Sequence, residues 1–471
     1  MGTSPTKVRS CLLTISLLLV ASCAAPPAAP LEPEKLVADV EGRADPSPAL
    51  VLAALALHDA TPLGLSLPAR WDPQQDAAHD VFWHAHAIAF EPTVQASRRT
   101  WRAARHDAAA AGHPDRAVVS YRLEDTGQPD RQSDLVSTLD LLGLLGIGPK
   151  AAEQEVAARA TGLALGQLEQ DIWAAVFDVD RARVSLAASR QREARLASFA
   201  ADAASDIHRL ETLYTRGRLS EGLIGRARAV HAAFLARFHQ HTAATARARE
   251  TLAHVSGLPP HAPALDAIGA AMLQVNPTDP APVPIAAHLL DGVPALRAAR
   301  LRYALVEAQV RAAAAAWWPS LRVGPHLKMR PDEFLTGGIV ALDLPWPSKV
   351  SAQIEAALER RERAREAVEG ALARTLASGV ARRQELLIAR AHYATHALTL
   401  ASQSARAWRG ARARLSVDES GGAVDAWVDA LTLRSRGVLA EVDALERARL
   451  MELEFREAAG LRPGLDTEDG R

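Results

Sequence analysis

At 471 residues the chain is long enough for several domains, yet 54 Lys and Arg against 55 Asp and Glu leave a formal net charge of −1 and no basic surface for nucleic acid. Aromatic residues at 4% argue against a large mixed β domain with an aromatic-rich core. Ala, Leu, Arg and Glu abound, the composition of long helices packed closely side by side.

The chain opens with Lys7 and Arg9 ahead of an apolar run from Cys11 to Val20, the layout of a secretory leader and too short to span a bilayer. Val20-Ala21-Ser22-Cys23 follows, where small residues suit a signal peptidase and the Cys23 thiol can accept a diacylglycerol. Residues 1–22 therefore read as a lipoprotein signal peptide; the plainer alternative is an ordinary leader cleaved further on, in the Ala/Pro stretch to Pro30. Lipoproteins held at the inner membrane tend to carry Asp directly after that cysteine, and Ala24 in its place implies sorting to the outer membrane. Cys11 and Cys23 are the only cysteines, so processing leaves no thiol pair to oxidise. Residues 23–78 form a Pro- and Ala-rich N-terminal segment.

From Asp80 to Ala111 the chain is Ala-rich, with Pro92 as its one internal breaker, and Gly112-His113-Pro114 stops it, which predicts a helix. Val118–Glu124, a polar turn through Gly127 to Asp130, and Leu135–Leu145 predict a hairpin of poor alternation. No proline stands from Lys150 to Thr215, which at the helical rise makes a rod of about 100 Å. Gly217 and Ser220 mark a turn, and Ser220–Ser256 returns as a helix. Residues 261–281 read as a linker.

The second half repeats this order. Ala287–Ala316 ends at Trp317-Trp318-Pro319, Leu321–Met329 alternates, Pro331-Asp332 turns, and Ile339–Pro345 returns as a strand. Val350–Arg409 again lacks proline, a rod of about 90 Å, and leads to a second tip spanning Arg409–Gly422. Pro92 matches Pro294, Ala96 matches Ala298, Arg98 matches Arg300 and Trp101 matches Tyr303; Gly217 falls near Gly410, and Gly257-Leu258 near Gly460-Leu461. Two tandem repeats follow, 79–260 and 282–463, with a polar tail at 464–471; units this long are no short-unit solenoid. In each, the two shorter helices add up to roughly the 100 Å of the long one, which predicts end-to-end stacking beside it. Ordinary globular helices run three or four turns, so this arithmetic predicts a tall bundle of antiparallel rods with a hairpin at one end.

On these features the chain resembles the TolC-type outer-membrane efflux family, from about His79 to Pro463. The words that carry the likeness are Asp291-Gly-Val-Pro294-Ala-Leu-Arg-Ala-Ala-Arg, Trp318-Pro319-Ser-Leu ahead of a strand, and Gly337-Gly-Ile-Val-Ala-Leu-Asp-Leu-Pro345. The resemblance implies a mainly α fold with a small β-barrel contribution: four transmembrane strands per protomer plus very long antiparallel helices. Three protomers would pool their strands into one twelve-stranded barrel above an α-helical tunnel. It also implies a homotrimer that works with a periplasmic adaptor protein and an inner-membrane pump, lipid-anchored in the outer membrane, without cofactor or nucleic acid. Two departures stand out: Pro345-Trp-Pro-Ser-Lys349 replaces the family's Phe-Asp-Gly-like segment, and the second tip is longer than the family's. The Ala/Arg-rich style and the Pro-terminated last strand lean toward the heavy-metal branch, but no Met- or His-lined path goes with them, and drugs or other small molecules fit equally.

A conduit performs no bond chemistry, so the residues to name line constrictions, meet partners or sit at the membrane surface. Asp425 and Asp429 lie four apart, on one helix face, and threefold assembly would turn them into carboxylate rings that attract cations. Asp429-Ala430 matches an Asp-Ala pair of the family near its closed aperture; two solvated surface carboxylates are the plainer alternative. Arg216, Arg218, Arg409, Arg412 and Arg414 are placed to pair with these acids, though such exposed pairs contribute only about 0–1 kcal/mol. Arg216, Gly217, Ser220, Gly410 and Ser416 resemble the family's adaptor-contacting tips. Trp317, Trp318 and Trp346 fall at helix–strand junctions, where they suit a membrane interface or simply pack. Gly162 and Gly166 predict a close helix approach. His84/His86 and His239/His241 are two apart and face different ways on a helix, so no metal site is expected. With no glycine-rich phosphate loop, Cys cluster or Gly-x-Ser-x-Gly elbow, no enzyme is expected either. The rival reading is a non-conducting helical scaffold lipoprotein of the periplasm, which would have no use for four strands.

Overall fold

A computed structural model describes residues 32–44, 80–113, 118–124, 132–140, 148–274, 289–290, 292–329, 334–417 and 420–461. The leader, Cys23, both hairpin turns, residues 275–281 of the linker and the tail lie outside the described residues. Residues Met1–Arg43 form a unit of their own, which holds helix α1 (Pro33–Glu41) with proline in its first turn. The second unit is Ala44–Arg471.

Its first half runs α2 (Asp80–Phe90), α3 (Pro92–Ala111), β1 (Val118–Glu124), β2 (Gln132–Asp140), α4 (Pro149–Thr215) and α5 (Glu221–Ser256). After two 3-10 turns, Pro263–Ala267 and Ala270–Leu273, the second half runs α6 (Pro294–Ala315), β3 (Ser320–Met329), β4 (Phe334–Asp343), α7 (Pro347–His392), α8 (Leu398–Val417) and α9 (Gly421–Ala458). The helices start where proline fits the first turn, with its missing N–H lost at no cost: Pro92, Pro149, Pro294 and Pro347 all stand there. The expected break at Pro92 is real, and Glu91 caps α3 by accepting the Val94 N–H at 2.7 Å.

Helix α4 has 67 residues, about 100 Å at the helical rise. Its first part packs on α3 and α6, its last part on α5 and α9. Two apolar clusters mark these levels. One joins Phe82, Trp83 and Ile88 to Phe177, Val184 and Leu186; the other joins Leu196, Phe199 and Leu210 to Phe234, Trp408 and Trp427. Ion pairs record the direction of packing. Arg181–Glu457 (2.7 Å), Arg192–Asp443 (2.8 Å) and Arg195–Glu441 climb α4 as they descend α9, so the two run antiparallel.

The shorter helices do stack end to end, and two glycines make the junctions. Gly257 ends α5 at φ +68°, with its N–H donated to the His254 carbonyl (3.1 Å) and the Leu258 N–H to Ala253 (2.9 Å). It lies so close to Phe90, just before α3, that a Cβ on it would fall 2.4 Å from the Phe90 Cβ. Gly460 ends α9 at φ +67° with the same pair of bonds, from its own N–H to Glu457 and from Leu461 to Arg456, against Gly292 and Val293 at the start of α6. Left-handed backbone and close approach together require glycine at both places.

The structure departs from the sequence expectations in three elements. β2 begins at Gln132 and its described part ends at Asp140, rather than running from Leu135 to Leu145; residues 141–145 lie outside the described residues. β4 starts at Phe334, five residues ahead of the expected Ile339. The second long rod is interrupted by a π-turn at Tyr393–Ala397 and then continues as α8 to Val417, past the expected stop at Arg409. The π-turn takes up one extra residue: the packed positions Leu386 and Ala389 precede it, and Ala401, Ser404, Trp408, Ala411 and Leu415 resume a four-three spacing beyond it.

Candidate functional site

The four strands form one antiparallel sheet in the order β1-β2-β3-β4, with the two halves joined through β2 and β3. Strand residues alternate between faces, and residues directly opposite share a face. The registers Leu327↔Thr336, Val323↔Val340 and Leu321↔Leu342, with Leu135↔Leu327, put Leu135, Ser137, Leu321, Val323, Pro325, Leu327, Thr336, Val340 and Leu342 on one face. The other face carries Asp134, Thr138, Arg322, His326, Lys328 and Asp343 beside Val136, Leu335, Ile339 and Ala341, and so holds all the charges of these two sets. Arg322 pairs with Asp343 there, and His326 lies 3.7 Å from Asp134. One side is thus apolar and the other charged.

The apolar side is uncovered, with Val340 70% and Leu342 56% exposed, and β1 and β4 both present an unpaired edge. Gly324 lets β2 and β3 come close, since a Cβ on it would fall 1.6 Å from the Ser137 carbonyl oxygen. Pro325 has no N–H to give, and the ladder between β2 and β3 is broken around it, between Val136↔His326 and Leu139↔Val323.

Trp317, Trp318 and Trp346 lie where the helices meet this sheet: the first two between α6 and β3, the last between β4 and α7, with Trp346 75% exposed. Trp318 lies beside Gly148 at the start of α4, where a Cβ would stand 3.4 Å from the Trp318 Cβ. Among the described residues no helix is long and apolar enough to cross a membrane, and no group of three or more His, Cys, Asp and Glu is placed to hold a metal ion.

At the far end of the bundle α4 turns into α5 at Gly217, whose φ is +71°. The Gly217 N–H bonds the Tyr214 carbonyl (2.9 Å) and the Arg218 N–H bonds Leu213 (3.0 Å), while the Ser220 hydroxyl accepts the Leu223 N–H at 3.4 Å to start α5. Arg216 is the last residue of this helix end, as expected for a tip. The second tip differs from the expectation. Gly410 lies inside α8 and Ser416 in its last turn, so the turn sits beyond them, at Ser420, whose carbonyl accepts the Ala423 N–H at 3.1 Å as α9 begins. Burial of Trp408, Ala411 and Leu415 holds the helix through Gly410, and outweighs the roughly 1 kcal/mol that glycine costs in a helix. The two tips touch: a Cβ on Gly421 would lie 3.0 Å from Leu223 Cδ1.

Asp425 and Asp429 stand one and two turns into α9, on one side of it. Asp425 accepts a bond from Arg226 of α5 at 2.9 Å, an exposed pair; Asp429 is exposed and has no partner among the described residues. Of the five arginines proposed from sequence, Arg412 does not face these acids. Arg412 turns inward instead, to Asp206 (2.9 Å) and Asp202 (3.1 Å), and stacks over Trp408. The Trp427 Nε1–H donates to the same Asp206 at 3.0 Å. Burial works against the Arg412 charge, but the Asp206 and Asp202 carboxylates more than offset it and hold its pKa above the ordinary value.

A second buried network sits where α2 crosses α4. Arg183, fully buried, bonds Asp180 (2.9 Å) and Asp80 (2.8 Å) and lies over the Trp83 ring, while His84 Nε2 meets both Asp180 oxygens at 3.1 Å. Burial pushes the Asp180 carboxyl up, but the charges and hydrogen bonds of His84 and Arg183 outweigh it and bring it down to about 2. Sequence reading set His84 aside as a ligand, and the structure gives it this carboxylate partner. Neither Asp206 nor Asp180 carries a local sequence signal, because most of their partners come from distant helices.

No family model and no curated protein matches the chain. Its fold does match solved structures. The outer-membrane channel OprN is 18% identical with a TM-score of 0.67, over 85% of this chain and 95% of that one. VceC, an outer membrane protein of Vibrio cholerae, is 16% identical with a TM-score of 0.63, over 81% and 96%. The MtrE outer membrane channel of Neisseria gonorrhoeae in its open state is 17% identical with a TM-score of 0.65, over 83% and 89%. At these identities the likeness is one of fold: a mainly helical chain with a small antiparallel sheet, arranged as in these outer-membrane channels.

Proposed function

We propose that the chain is the outer-membrane channel of a tripartite efflux system, and that three copies form a passive conduit through the periplasm and outer membrane. The observation that carries this reading is the four-stranded sheet with one apolar and one charged face, open at both edges and set on a helix of 67 residues and on the α7–α8 rod, Pro347–Val417, which continues across a π-turn. Unpaired strand edges and bare backbone groups are not tolerated in lipid, so such a sheet enters a bilayer only as part of a closed barrel. Four strands are half of the smallest membrane barrel, and further copies have to supply the rest. In a closed barrel the apolar face meets lipid and the charged face lines water. The fold shared with OprN, VceC and MtrE supports the same reading.

The finer roles follow from it. Trp317, Trp318 and Trp346 form the belt at the membrane surface below the barrel. The tips, with Arg216, Gly217, Ser220 and the Ser420 turn just past Gly410 and Ser416, meet a periplasmic adaptor that connects to an inner-membrane pump. Asp425 and Asp429 ring the closed end, and Cys23 carries the lipid that holds the chain to the outer membrane. The cargo is a small molecule or a metal ion, delivered by the pump.

Reconstitution tests the proposal. Purified full chain should run as a trimer in detergent and give ion conductance in planar bilayers. A soluble, non-conducting monomer would overturn the channel and favour the periplasmic scaffold. Acylation is read separately, by palmitate label that is present in the wild type and lost in Cys23→Ser.

A further inference from the structure

Within one copy, the second half lays two helices, α6 and α9, on α4, the long helix of the first half. Among the described residues the reciprocal packing, α3 and α5 on the α7–α8 rod, is not among the helix pairs that pack extensively. The two halves share one order of elements, so each copy leaves open the counterpart of a contact it already makes.

The face of α4 that receives α6 is the row Glu155, Gly162, Gly166 and Glu169, at the spacing of one helix side. Glu155 binds Arg311 at 2.9 Å and Glu169 binds Arg297 at 3.1 Å. Gly166 admits Leu301 so closely that a Cβ would lie 2.6 Å from its Cδ1. On α7 the same spacing picks out Glu355, Glu362, Glu366 and Glu369, with Glu359 in the same row, and all five are exposed. This row lies away from the side of α7 that packs on α6, which carries the buried Val350 and Ala357 and the Arg361 that faces Glu307.

The helix that corresponds to α6 is α3, by Pro92 and Pro294. Arg297 and Leu301, which touch α4, then correspond to Gln95 and Arg99, and Arg102 and His106 continue the row; the last three are exposed. Glu355, Glu359, Glu366, Arg99 and Arg102 have no oppositely charged partner among the described residues. Placing α3 on α7 in the antiparallel register of α6 on α4 sets Gln95 opposite Glu369, Arg99 opposite Glu366, Arg102 opposite Glu362 and His106 opposite Glu359. Arg99, Arg102 and His106 thus face carboxylates, while Gln95 is neutral, and Glu362 and Glu369 also pair with Arg361 and Arg365 of α7 itself.

We propose that α3 of one copy docks on α7 of the next through this basic-on-acidic row. A head-to-tail contact of this kind closes into a ring when the rotation allows. The proposal rests on the reading of the chain as a closed oligomer, and adds which faces meet, in what register and by what force. Inside a copy the contact is packed tightly through glycine; between copies it is ionic and therefore weakened by salt.

The test uses full-length chains with two different tags, one carrying Arg102→Cys and the other Glu362→Cys, coexpressed and treated in outer membranes with a short bis-maleimide. Its reach of about 10 Å covers facing positions on packed helices. The expected product joins the two tags, and neither single-cysteine chain alone gives it. In parallel, R99E/R102E should raise oligomer dissociation roughly tenfold or more, as like charges replace opposite ones, and adding E362R/E366R should restore it. A conducting trimer without this cross-link would overturn the interface and leave the channel reading intact. A cross-link with no response to the charge reversals would overturn the ionic part. A monomeric, non-conducting chain would overturn both. If R99E/R102E fails to accumulate, its recovery with E362R/E366R supports the pairing and its continued absence counts against it.

Discussion

Alanine at Gly257 separates two costs that usually come together. Gly257 and Gly217 both end a helix in the left-handed region, at φ +68° and +71°. That backbone costs a residue with a Cβ about 1–2 kcal/mol, and so both substitutions share this loss. Around Gly217 a Cβ meets nothing within 4 Å, whereas at Gly257 it would fall 2.4 Å from the Phe90 Cβ and 3.2 Å from the Phe90 carbonyl carbon. Phe90 and the start of α3 would have to move, a cost of about 1–3 kcal/mol for overpacking. Gly217→Ala should therefore lose about 1–2 kcal/mol, and Gly257→Ala roughly 2–5 kcal/mol. Gly460→Ala, whose Cβ would lie 3.0 Å from the Gly292 carbonyl carbon, should fall between them. The assay is thermal loss of helical circular dichroism for the three variants in one detergent. Equal shifts for Gly217→Ala and Gly257→Ala would mean that α5 does not abut Phe90, and the end-to-end column would be refuted.

Three further outcomes follow from the geometry. The folded pKa of Asp180, about 2, lies below its ordinary 3.8, so its contribution is complete above pH 4 and is lost as pH falls toward 2. The wild type should lose on the order of 2 kcal/mol over that interval from this site, while Asp180→Asn, already less stable at neutral pH, should change less; parallel pH profiles of the unfolding midpoint would refute this. Val340→Arg, on the apolar face, should lower barrel stability by roughly 2–4 kcal/mol near mid-bilayer, whereas Ala341→Arg on the charged face should mainly change ion selectivity; equal destabilisation in urea unfolding from vesicles would contradict the assignment of faces. Replacing both Asp425 and Asp429 by Ala should alter conductance or cation block in planar bilayers, and unchanged records would remove them from the constriction.

Much of the architecture was legible because it is written in long-range monotony and hard stops. Proline at 92, 149, 294 and 347 starts helices wherever it stands, and the proline-free stretches between are the rods. β1 was read to the residue, and β3 to within one, because each begins shortly after a proline stop, Pro114 and Pro319. β2 was misplaced because Gln132, Ser133 and Asp134 look like loop residues, and pairing with β3 makes them strand. Gly410 misled for the opposite reason: a glycine between arginines resembles a turn, but Trp408, Ala411 and Leu415 bury a face that only a helix provides. The buried acids were invisible, since Asp206 meets Arg412 and Trp427, and Asp180 meets His84, across the bundle rather than along the chain.

The central claim is that one side of the sheet meets lipid and the other lines water. Single nitroxide labels along 335–343 of β4, placed in reconstituted protein, measure it by collision with oxygen and with a water-soluble paramagnet. Labels at 336, 338, 340 and 342 should favour oxygen and those at 335, 337, 339, 341 and 343 the aqueous reagent, with a period of two. Uniform exposure to the aqueous reagent at every position, or the opposite phase, would contradict the account.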